Sequence, residues 1–476
     1  MISRRTILQK HQSRLILVIL LLLSPFLLIA MTTKIQGKAP GFKGEHIRYL
    51  GFGDYISNTE FVIAESVVDS SGIFSLSFET KDTIYGNLEI GYQFTGMFTC
   101  PGAVYQLAIN SNSISRLSNP INPFFEKAAL NITILNADSM ELNTAVSSFL
   151  TLLDTSLLQN PTKINLGAYK RSYDSLVKVL EHRFPGAGSG FFARFMEYKL
   201  ASFDGLVHRS TETQAAVKYF SGTRVMYSNP AYMEYFNLFF EGYLTRYSKN
   251  LPKRDILYCV NTIVSFAALT DSAGKDPILR NEELRELVLL KGLSEIYYNK
   301  AYNKSGVLAL LRQAEKSKFK EHQEISRNLQ KKLQHMQTGT VMPDFSLRDV
   351  SGKIFTKDDF KGKLLYISFV TSWCETCMRE LIFMEKLHEK FKSKVSFVTI
   401  FCNDDRAYLA GFLGSHKTWD WTFLGLESDA SLLKTYDIKA FPEFILCDQR
   451  GDVLNYPARR PSQGIEMDLN RILGWK

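Results

Sequence analysis

Cysteine is scarce in this 476-residue chain, which contains only six. The six are Cys100, Cys259, Cys374, Cys377, Cys402 and Cys447. Such wide spacing excludes a disulfide framework of the kind that holds small secreted domains together. It also argues against a zinc site, because a second cysteine or histidine pair would be needed to complete roughly four ligands. We therefore predict that the protein binds no metal.

The chain also lacks any cluster of basic residues interleaved with aromatic ones. It has 57 basic and 48 acidic residues, and the net charge of +9 is spread thinly along its length. Nucleic-acid binding normally needs a concentrated basic surface, so we expect no nucleic-acid partner. Hydrophobic residues make up 45% and charged residues 22%, which is ordinary for a globular protein and argues against a mostly disordered chain. This length accommodates roughly two to four domains.

The N-terminal segment combines a basic start with an apolar run. Four basic side chains precede residues 15–31, a run that only Ser24 and Pro25 interrupt. This pattern is typical of an export signal. As a helix the run would span about 25 Å, slightly less than a hydrocarbon core of ~30 Å. Residues 1–31 are thus predicted to be a signal peptide or an N-terminal membrane anchor, and both alternatives stay open. In either case the rest of the chain is expected in the cell envelope or periplasm.

The next part of the chain reads as strands and turns. After a short linker at residues 32–44, runs of β-branched and aromatic residues such as 73–78 indicate strands. Turns are expected at residues 85–87 and at Pro101 and Gly102. Strands at this spacing predict an N-terminal antiparallel β-sandwich over residues 45–118.

Residues 122–337 change to a helical pattern. Leucines recur at helical spacing from Leu284 to Leu293, and Asn281 can cap that helix. Aromatic residues cluster in the same region. They are interpreted as the core of a central α-helical region, with an apolar groove for a substrate or partner as the open alternative.

A polar stretch at residues 337–340 predicts a boundary to a last domain, residues 340–476. The strand–helix–strand pattern beyond it indicates an α/β unit. Its first buried-type strand, residues 364–370, leads directly to Cys374 and Cys377 and then to a helical pattern. The cysteine pair is therefore expected at the N-terminus of a helix.

That position has a chemical consequence for Cys374. Unpaired N–H groups and the helix dipole stabilise negative charge at a helix N-terminus, so we expect the pKa of Cys374 to lie below the ~8.5 of free cysteine. Two intervening residues allow Cys377 to reach back and close a small disulfide ring. The pattern predicts a redox-active pair with Cys374 as the nucleophile and Cys377 as the resolving thiol.

Several short motifs surround this pair, namely Phe-Lys-Gly-Lys at residues 360–363, Ser-Trp-Cys-x-x-Cys at 372–377 and Phe-Pro at 441–442. Together they resemble the TlpA-like (ResA-like) thiol-disulfide oxidoreductases of the thioredoxin superfamily. The resemblance covers residues 340–476, and the part before it looks, more weakly, like the N-terminal extension of some bacterial members. It implies a thioredoxin-like fold, reduction or exchange of protein disulfides in the cell envelope, a membrane-embedded thiol as electron donor, and no bound cofactor.

The resemblance also assigns roles to individual residues. Trp373 would shield the disulfide, Pro442 would follow a cis peptide bond, and the backbone of Phe441 would pair with an extended substrate peptide. These three are the expected substrate-binding residues. The family usually has proline at Thr376 and often has one at Ile382, so the redox potential and the preferred direction stay open.

Other acidic and thiol groups are expected near the pair without a catalytic role. Glu375 and Glu380 would each oppose thiolate formation if close to it, and Glu380 is expected to be structural. Cys402 and Cys447 are expected at opposite edges of the sheet, so a disulfide between them is not predicted.

Two other functions stay open. Peroxiredoxins share the fold and also have a threonine three residues before the reactive cysteine, as Thr371 is here, but Ile367 stands where that family has proline. Alternatively, the sandwich and helices form a substrate-binding envelope module with a regulatory thioredoxin domain. The cysteine pair and Pro442 favour the oxidoreductase.

Overall fold

The structure is a computed structural model. It describes residues 30–91, 93–110, 128–138, 141–158, 166–184, 190–206, 211–246, 251–402, 406–426 and 431–475. The expected export segment, residues 1–31, lies almost entirely outside these ranges, so its two alternatives stay predictions. In the ranges described, no helix is both long enough and apolar enough to cross a bilayer.

Two sheets form the first part of the described chain. Their strands are β1 (Met31–Lys38), β2 (His46–Phe52), β3 (Glu60–Val67), β4 (Ile73–Thr80), β5 (Ile84–Ile90), β6 (Gln93–Thr99), β7 (Val104–Asn110), β8 (Ala128–Ala129) and β9 (Asn131–Ile134). The four-stranded sheet has the order β4-β1-β7-β9, and the five-stranded sheet has the order β3-β2-β5-β6-β8. One hydrophobic cluster includes Ile35 and Leu107 from the first sheet and Tyr49 and Leu88 from the second.

Three features of these sheets differ from the prediction. Strand β1 occupies most of the stretch expected to be a linker, because it pairs with both β4 and β7 and buries Ile35. The turn expected at residues 85–87 lies inside β5, where Gly86 leaves room for the ring of Tyr49. The pairs β1–β7 and β6–β8 are parallel, so the arrangement is not purely antiparallel.

Helices follow these sheets. They are α1 (Leu142–Leu158), α2 (Leu166–Arg183), α3 (Phe191–Leu206), α4 (Glu212–Ala216), α5 (Pro230–Phe239), α6 (Lys253–Tyr258), α7 (Phe266–Ala273), α8 (Glu282–Ile296), α9 (Lys304–Ala314) and α10 (Lys320–Gln334). The aromatic clusters lie in their shared core, where the ring of Phe220 packs edge-on against those of Tyr232 and Phe236. As predicted, Asn281 caps α8, since its side chain accepts a hydrogen bond from the backbone N–H of Leu284 at 3.0 Å.

The C-terminal domain is built on a seven-stranded sheet. Its strands are β10 (Ser346–Arg348), β11 (Ile354–Thr356), β12 (Leu364–Val370), β13 (Val395–Phe401), β14 (Thr422–Gly425), β15 (Glu443–Cys447) and β16 (Val453–Asn455). Its helices are α11 (Glu375–Phe391), α12 (Arg406–Gly414), α13 (Ser431–Thr435) and α14 (Ile465–Leu473). The strand order is β11-β10-β14-β13-β12-β15-β16, with β12 parallel to β13 and antiparallel to β15. Every residue of β12 is buried, as expected for a strand covered on both faces.

Helix α10 and the residues just after it contact both the N-terminal part and the C-terminal domain. The amide of Asn328 donates a hydrogen bond to the carboxylate of Asp54 at 2.9 Å, and the ammonium of Lys332 donates one to the carbonyl oxygen of Ser57 at 2.6 Å. Just beyond the helix, Met336 is 3% exposed and belongs to the core of the C-terminal domain. The N-terminal sheets, the helices and the C-terminal domain are therefore joined by packed contacts as well as by the chain.

Candidate redox site

Cys374 and Cys377 are joined by a disulfide, with their Cα atoms 5.1 Å apart. Cys374 is the N-cap of α11, and its sulfur accepts a hydrogen bond from the backbone N–H of Cys377 at 3.2 Å. Cys374 is half-buried, whereas Cys377 is fully buried. The two residues therefore differ in their access to solvent.

The turn between β12 and α11 brings this pair to the end of the sheet. The backbone N–H of Cys374 donates to the carbonyl oxygen of Thr371 at 3.2 Å, and its own carbonyl accepts from the N–H of Met378 at 3.1 Å. The first turn of a helix has N–H groups without helical partners, and these stabilise a negatively charged sulfur. The local geometry therefore suits a thiolate at Cys374 in the reduced protein.

Phe441, Pro442 and Trp373 lie beside the pair. The peptide bond between Phe441 and Pro442 is cis, as the family resemblance implies. The carbonyl oxygen of Phe441 is 3.8 Å from the sulfur of Cys374. The ring of Trp373 is half-exposed and meets the ring of Phe441 edge to face, with 6.4 Å between their centroids. The structure thus brings together the five site residues that were expected from the sequence and its family resemblance: Trp373, Cys374, Cys377, Phe441 and Pro442.

The two nearby carboxylates lie in different surroundings. Glu375 is exposed in the first turn of α11. Glu380 is 4% exposed, and its carboxylate accepts hydrogen bonds from the backbone N–H and the hydroxyl of Ser462 at 2.9 and 2.6 Å. Glu380 is therefore a structural residue, as expected. Nothing in the sequence near Glu380 points to Ser462 as its partner.

Sequence reasoning missed Glu443, which directly follows Pro442. This residue is half-buried, and burial raises the pKa of its carboxyl, while the backbone N–H of Phe444 and the charge of Arg460 act in the opposite direction. The feature of the sequence that could have pointed to Glu443 is an acidic residue in an otherwise apolar strand. Glu443 can hold a proton at a higher pH than an ordinary glutamate.

Cys402 and Cys447 are both buried, and neither forms a disulfide. The backbone N–H of Cys402 bonds to the carbonyl of Val370, at the end of β12 next to the redox pair. Cys447 is opposite Leu365, near the other end of the same strand, and burial raises the pKa of its thiol to about 12. The predicted separation of the two cysteines is confirmed.

Within the described ranges, no group of three or more histidine, cysteine, aspartate and glutamate side chains is arranged to hold a metal ion.

The profile of the Redoxin family matches residues 337–468. The C-terminal part of this chain is a redoxin domain. The chain is 29% identical over 125 residues to the thiol-disulfide oxidoreductase ResA of Bacillus thuringiensis subsp. konkukian, covering 26% of this chain and 70% of that protein. It is 29% identical over 116 residues to the thioredoxin-like protein YneN of Bacillus subtilis, covering 24% and 68%. The redoxin domain is therefore thioredoxin-like and of the thiol-disulfide oxidoreductase class, which confirms the resemblance inferred from its motifs.

Two solved structures that are similar to part of this chain are also described as thiol–disulfide proteins. A putative thiol-disulfide oxidoreductase from Bacteroides vulgatus is 28% identical and covers 29% of this chain and 96% of its own, with a TM-score of 0.27. A putative thiol:disulfide interchange protein DsbE from Chlorobium tepidum is 22% identical and covers 29% and 96%, with a TM-score of 0.26.

Proposed function

We propose that this protein is an extracytoplasmic thiol-disulfide oxidoreductase that reduces or exchanges protein disulfides through Cys374 and Cys377. One observation carries the proposal. The sulfur of Cys374 lies at the N-terminus of α11. It accepts a hydrogen bond from the backbone N–H of Cys377 and lies next to the carbonyl oxygen of Phe441. Cys377 is buried behind it, so an incoming disulfide meets Cys374 first.

The reaction runs through a mixed disulfide. The thiolate of Cys374 attacks one sulfur of the substrate disulfide, and the other substrate sulfur leaves as a thiolate. Cys377 then attacks the sulfur of Cys374, which closes the protein disulfide and releases the second substrate thiol. Two electrons pass to the substrate. The N–H of Cys377, at 3.2 Å, stabilises negative charge on Cys374 before its attack.

Phe441, Pro442 and Trp373 are the proposed substrate-binding residues. Proline has no backbone N–H, so Pro442 leaves the main chain of Phe441 to pair with an extended substrate. The rings of Trp373 and Phe441 form an aromatic surface against which substrate side chains can pack.

The location and the partners are also proposals. Residues 1–31 would export the chain, and residues 15–31 would associate it with the membrane if they are retained. A membrane-embedded thiol donor would return electrons to the disulfide. Residues 45–118 would be a β-sandwich domain, 122–337 a helical region and 340–476 the thioredoxin-like domain. The hydrophobic clusters follow this division in the main, but Ile35 and Leu130 lie outside 45–118 and belong to the first cluster, Phe98 belongs to the cluster of the helices, and Met336 belongs to that of the last domain.

A trapping experiment tests the function. Cys377→Ser should accumulate mixed disulfides with insulin in vitro and with envelope proteins in cells, because the resolving thiol is absent. Cys374→Ser, the matched control, should form none. If Cys377→Ser formed no adduct with any protein, the oxidoreductase proposal would fail. That result would favour the alternative of a substrate-binding envelope module with a regulatory thioredoxin domain.

The peroxidase alternative rests on Thr371. Its side chain is buried in this structure, and so is Ile367 in β12, so neither is open to a substrate beside Cys374. Peroxide consumption and insulin reduction should be measured on the same preparation. We expect insulin reduction, whereas rapid peroxide turnover without insulin reduction would overturn the proposal.

A further inference from the structure

His322 is completely buried in the first turn of α10, where that helix packs against α8. Its ring nitrogen Nδ1 lies 3.0 Å from the carboxylate of Glu286, and Nε2 lies 2.7 Å from the hydroxyl of Tyr227. The same hydroxyl lies 3.2 Å from the carboxylate of Glu283. Three consecutive hydrogen-bonding contacts thus join four ionisable side chains.

The contact between His322 and Glu286 fixes one proton on the ring. Burial raises the pKa of the Glu286 carboxyl, but hydrogen bonds from His322 and Ser317 outweigh burial and place this pKa below its ordinary 4.5. Glu286 is therefore ionised at neutral pH, and an ionised carboxylate only accepts hydrogen bonds. The proton of this contact must consequently lie on Nδ1 of His322.

The hydroxyl of Tyr227 has one proton and two neighbouring acceptors. Burial, and then the charge of Glu283, raise the pKa of this hydroxyl well above its ordinary 10, so the hydroxyl keeps its proton. If Nε2 of His322 carries no proton, it competes with Glu283 for the proton of Tyr227, and one contact is left without a hydrogen bond. If Nε2 carries a proton, it donates to the oxygen of Tyr227, which donates to Glu283. All three contacts are satisfied together only when the ring of His322 carries two protons.

The surroundings of the ring determine whether the second proton is stabilised. The ring of Phe319 packs against it, with 4.9 Å between the centroids. The positive end of the α10 dipole opposes a charge on His322 by about 0.3–1 kcal/mol, whereas each hydrogen bond to a charged group contributes about 1.5–3 kcal/mol. In the described ranges, the charged groups near the ring are Glu282, Glu283 and Glu286 in α8, Lys318 before α10, and Glu321 in α10. Lys318 is paired with Glu282, so the carboxylates of α8 dominate.

The helix that begins beside His322 joins the parts of the chain. Farther along α10, Asn328 and Lys332 bond to Asp54 and to the carbonyl of Ser57, and Met336 just beyond the helix lies in the core of the C-terminal domain. A change at the first turn of α10 therefore acts on the element that holds these parts together.

We propose that His322 is a proton-dependent clamp, which fastens the first turn of α10 to α8 when its ring carries two protons and loosens it when the ring loses one. A histidine that gains hydrogen-bond acceptors on folding stabilises the fold below the ordinary histidine pKa of ~6.5, and this stabilisation is lost as the pH rises. The start of α10 is therefore held more tightly in mildly acidic surroundings than in alkaline ones. The clamp is independent of the proposed redox chemistry, since its four residues all precede the redoxin domain.

Hydrogen exchange of the full-length protein tests the clamp. Mass spectrometry of peptides from residues 320–334 measures how often α10 opens. Each rate is compared with that of an unstructured peptide at the same pH, which removes the pH dependence of the exchange reaction itself. We expect the protection of the first turns of α10 to fall about tenfold between pH 6 and pH 8.

Two variants should abolish most of this fall. Tyr227→Phe leaves Nε2 of His322 without an acceptor, and His322→Gln has no group that titrates in this interval. The matched control is Tyr298→Phe, which changes an exposed tyrosine of the same helical region and should keep the tenfold fall. Equal protection of α10 at both pH values in the unmodified protein would overturn the clamp. The same fall in Tyr227→Phe and His322→Gln as in the unmodified protein would also overturn it, because another group would then be responsible.

Nitrogen-15 NMR of the protein labelled on histidine reports the ring protons directly. At pH 6 both ring nitrogens of His322 should carry a proton. The signal is identified by its absence from His322→Gln, or by its shift in Tyr227→Phe if the first variant does not fold. A ring with a single proton at pH 6 would contradict the proposal.

Discussion

The carboxylate of Glu380 accepts both hydrogen bonds that Ser462 donates, one from the backbone N–H at 2.9 Å and one from the hydroxyl at 2.6 Å. This contact ties α11, the helix that begins at the redox pair, to the segment that precedes α14. The carboxylate is thus hydrogen-bonded on the buried side of α11. Glu380 therefore holds α11 against the segment that contains Ser462.

We predict that Glu380→Ala destabilises the redoxin domain by about 1–3 kcal/mol, because it removes two hydrogen bonds to a buried charged group. All four tryptophans, Trp373, Trp419, Trp421 and Trp475, lie in this domain, so the loss can be measured by urea unfolding followed by tryptophan fluorescence. Glu389→Ala, on the exposed face of the same helix, should change stability by less than about 0.5 kcal/mol. Equal losses for the two variants would contradict the structural role.

Glu286 predicts a pH dependence of the helical region. Burial by itself raises the pKa of this carboxyl, but hydrogen bonds from His322 and Ser317 outweigh burial and place the pKa below its ordinary 4.5. A carboxyl with a lowered folded-state pKa stabilises the fold above its unfolded-state pKa, and this stabilisation is lost as the pH falls through the folded value.

The free energy of unfolding should therefore fall as the pH drops below about 4.5, and Glu286→Gln should show a smaller fall over the same interval. The measurement is urea unfolding followed by far-ultraviolet circular dichroism between pH 6 and about pH 3. Glu389→Gln, an exposed control, should follow the unmodified protein. Parallel curves for Glu286→Gln and the unmodified protein would show that this carboxyl does not set the pH dependence.

Met336 precedes the matched redoxin segment and is nevertheless part of its core. We predict that Met336→Ala lowers the stability of the redoxin domain by about 2–5 kcal/mol, since the lost side chain leaves a cavity. Met467→Ala, at an exposed position of α14, should cost less than about 0.5 kcal/mol. Tryptophan fluorescence during unfolding reports both changes. If Met336→Ala behaved like Met467→Ala, the contact between the helical region and the redoxin core would be unimportant for stability.

The ion pair of Glu60 and Lys434 joins β3 to α13. A double-mutant cycle with Glu60→Gln and Lys434→Gln should give a coupling free energy of about 0.2–1 kcal/mol, because Lys434 is largely exposed to water. The coupling should shrink at about 1 M salt, where charges are screened within roughly 3 Å. Lys434→Gln combined with Glu65→Gln, at another position of β3, should show no coupling. A zero value for the first cycle at low salt would contradict the contact.

The features that depend on neighbouring residues were the ones that sequence reasoning predicted well. The strand at residues 364–370, the cap at Asn281 and the cysteine pair at the start of α11 all follow from local spacing and from hydrogen bonds within a few residues. The cis bond before Pro442 followed from the family resemblance.

Features that depend on distant segments were missed or mistaken. Residues 31–38 have no alternating pattern strong enough to predict a strand, and β1 forms because β4 and β7 lie on either side of it. Gly86 resembles a turn residue in sequence, yet it lies inside β5 because Tyr49 needs the space of its missing side chain.

The sequence by itself determined the class of chemistry, because a cysteine pair at a helix N-terminus acquires its reactivity from the first turn of that helix. Only the tertiary structure decided what surrounds this pair. It placed Ser462 on the carboxylate of Glu380, the carbonyl of Phe441 beside Cys374, and Glu60 against Lys434. Each of these contacts joins segments far apart in the chain. The free energy of such contacts comes from packing and burial in the complete fold, which local sequence patterns do not contain.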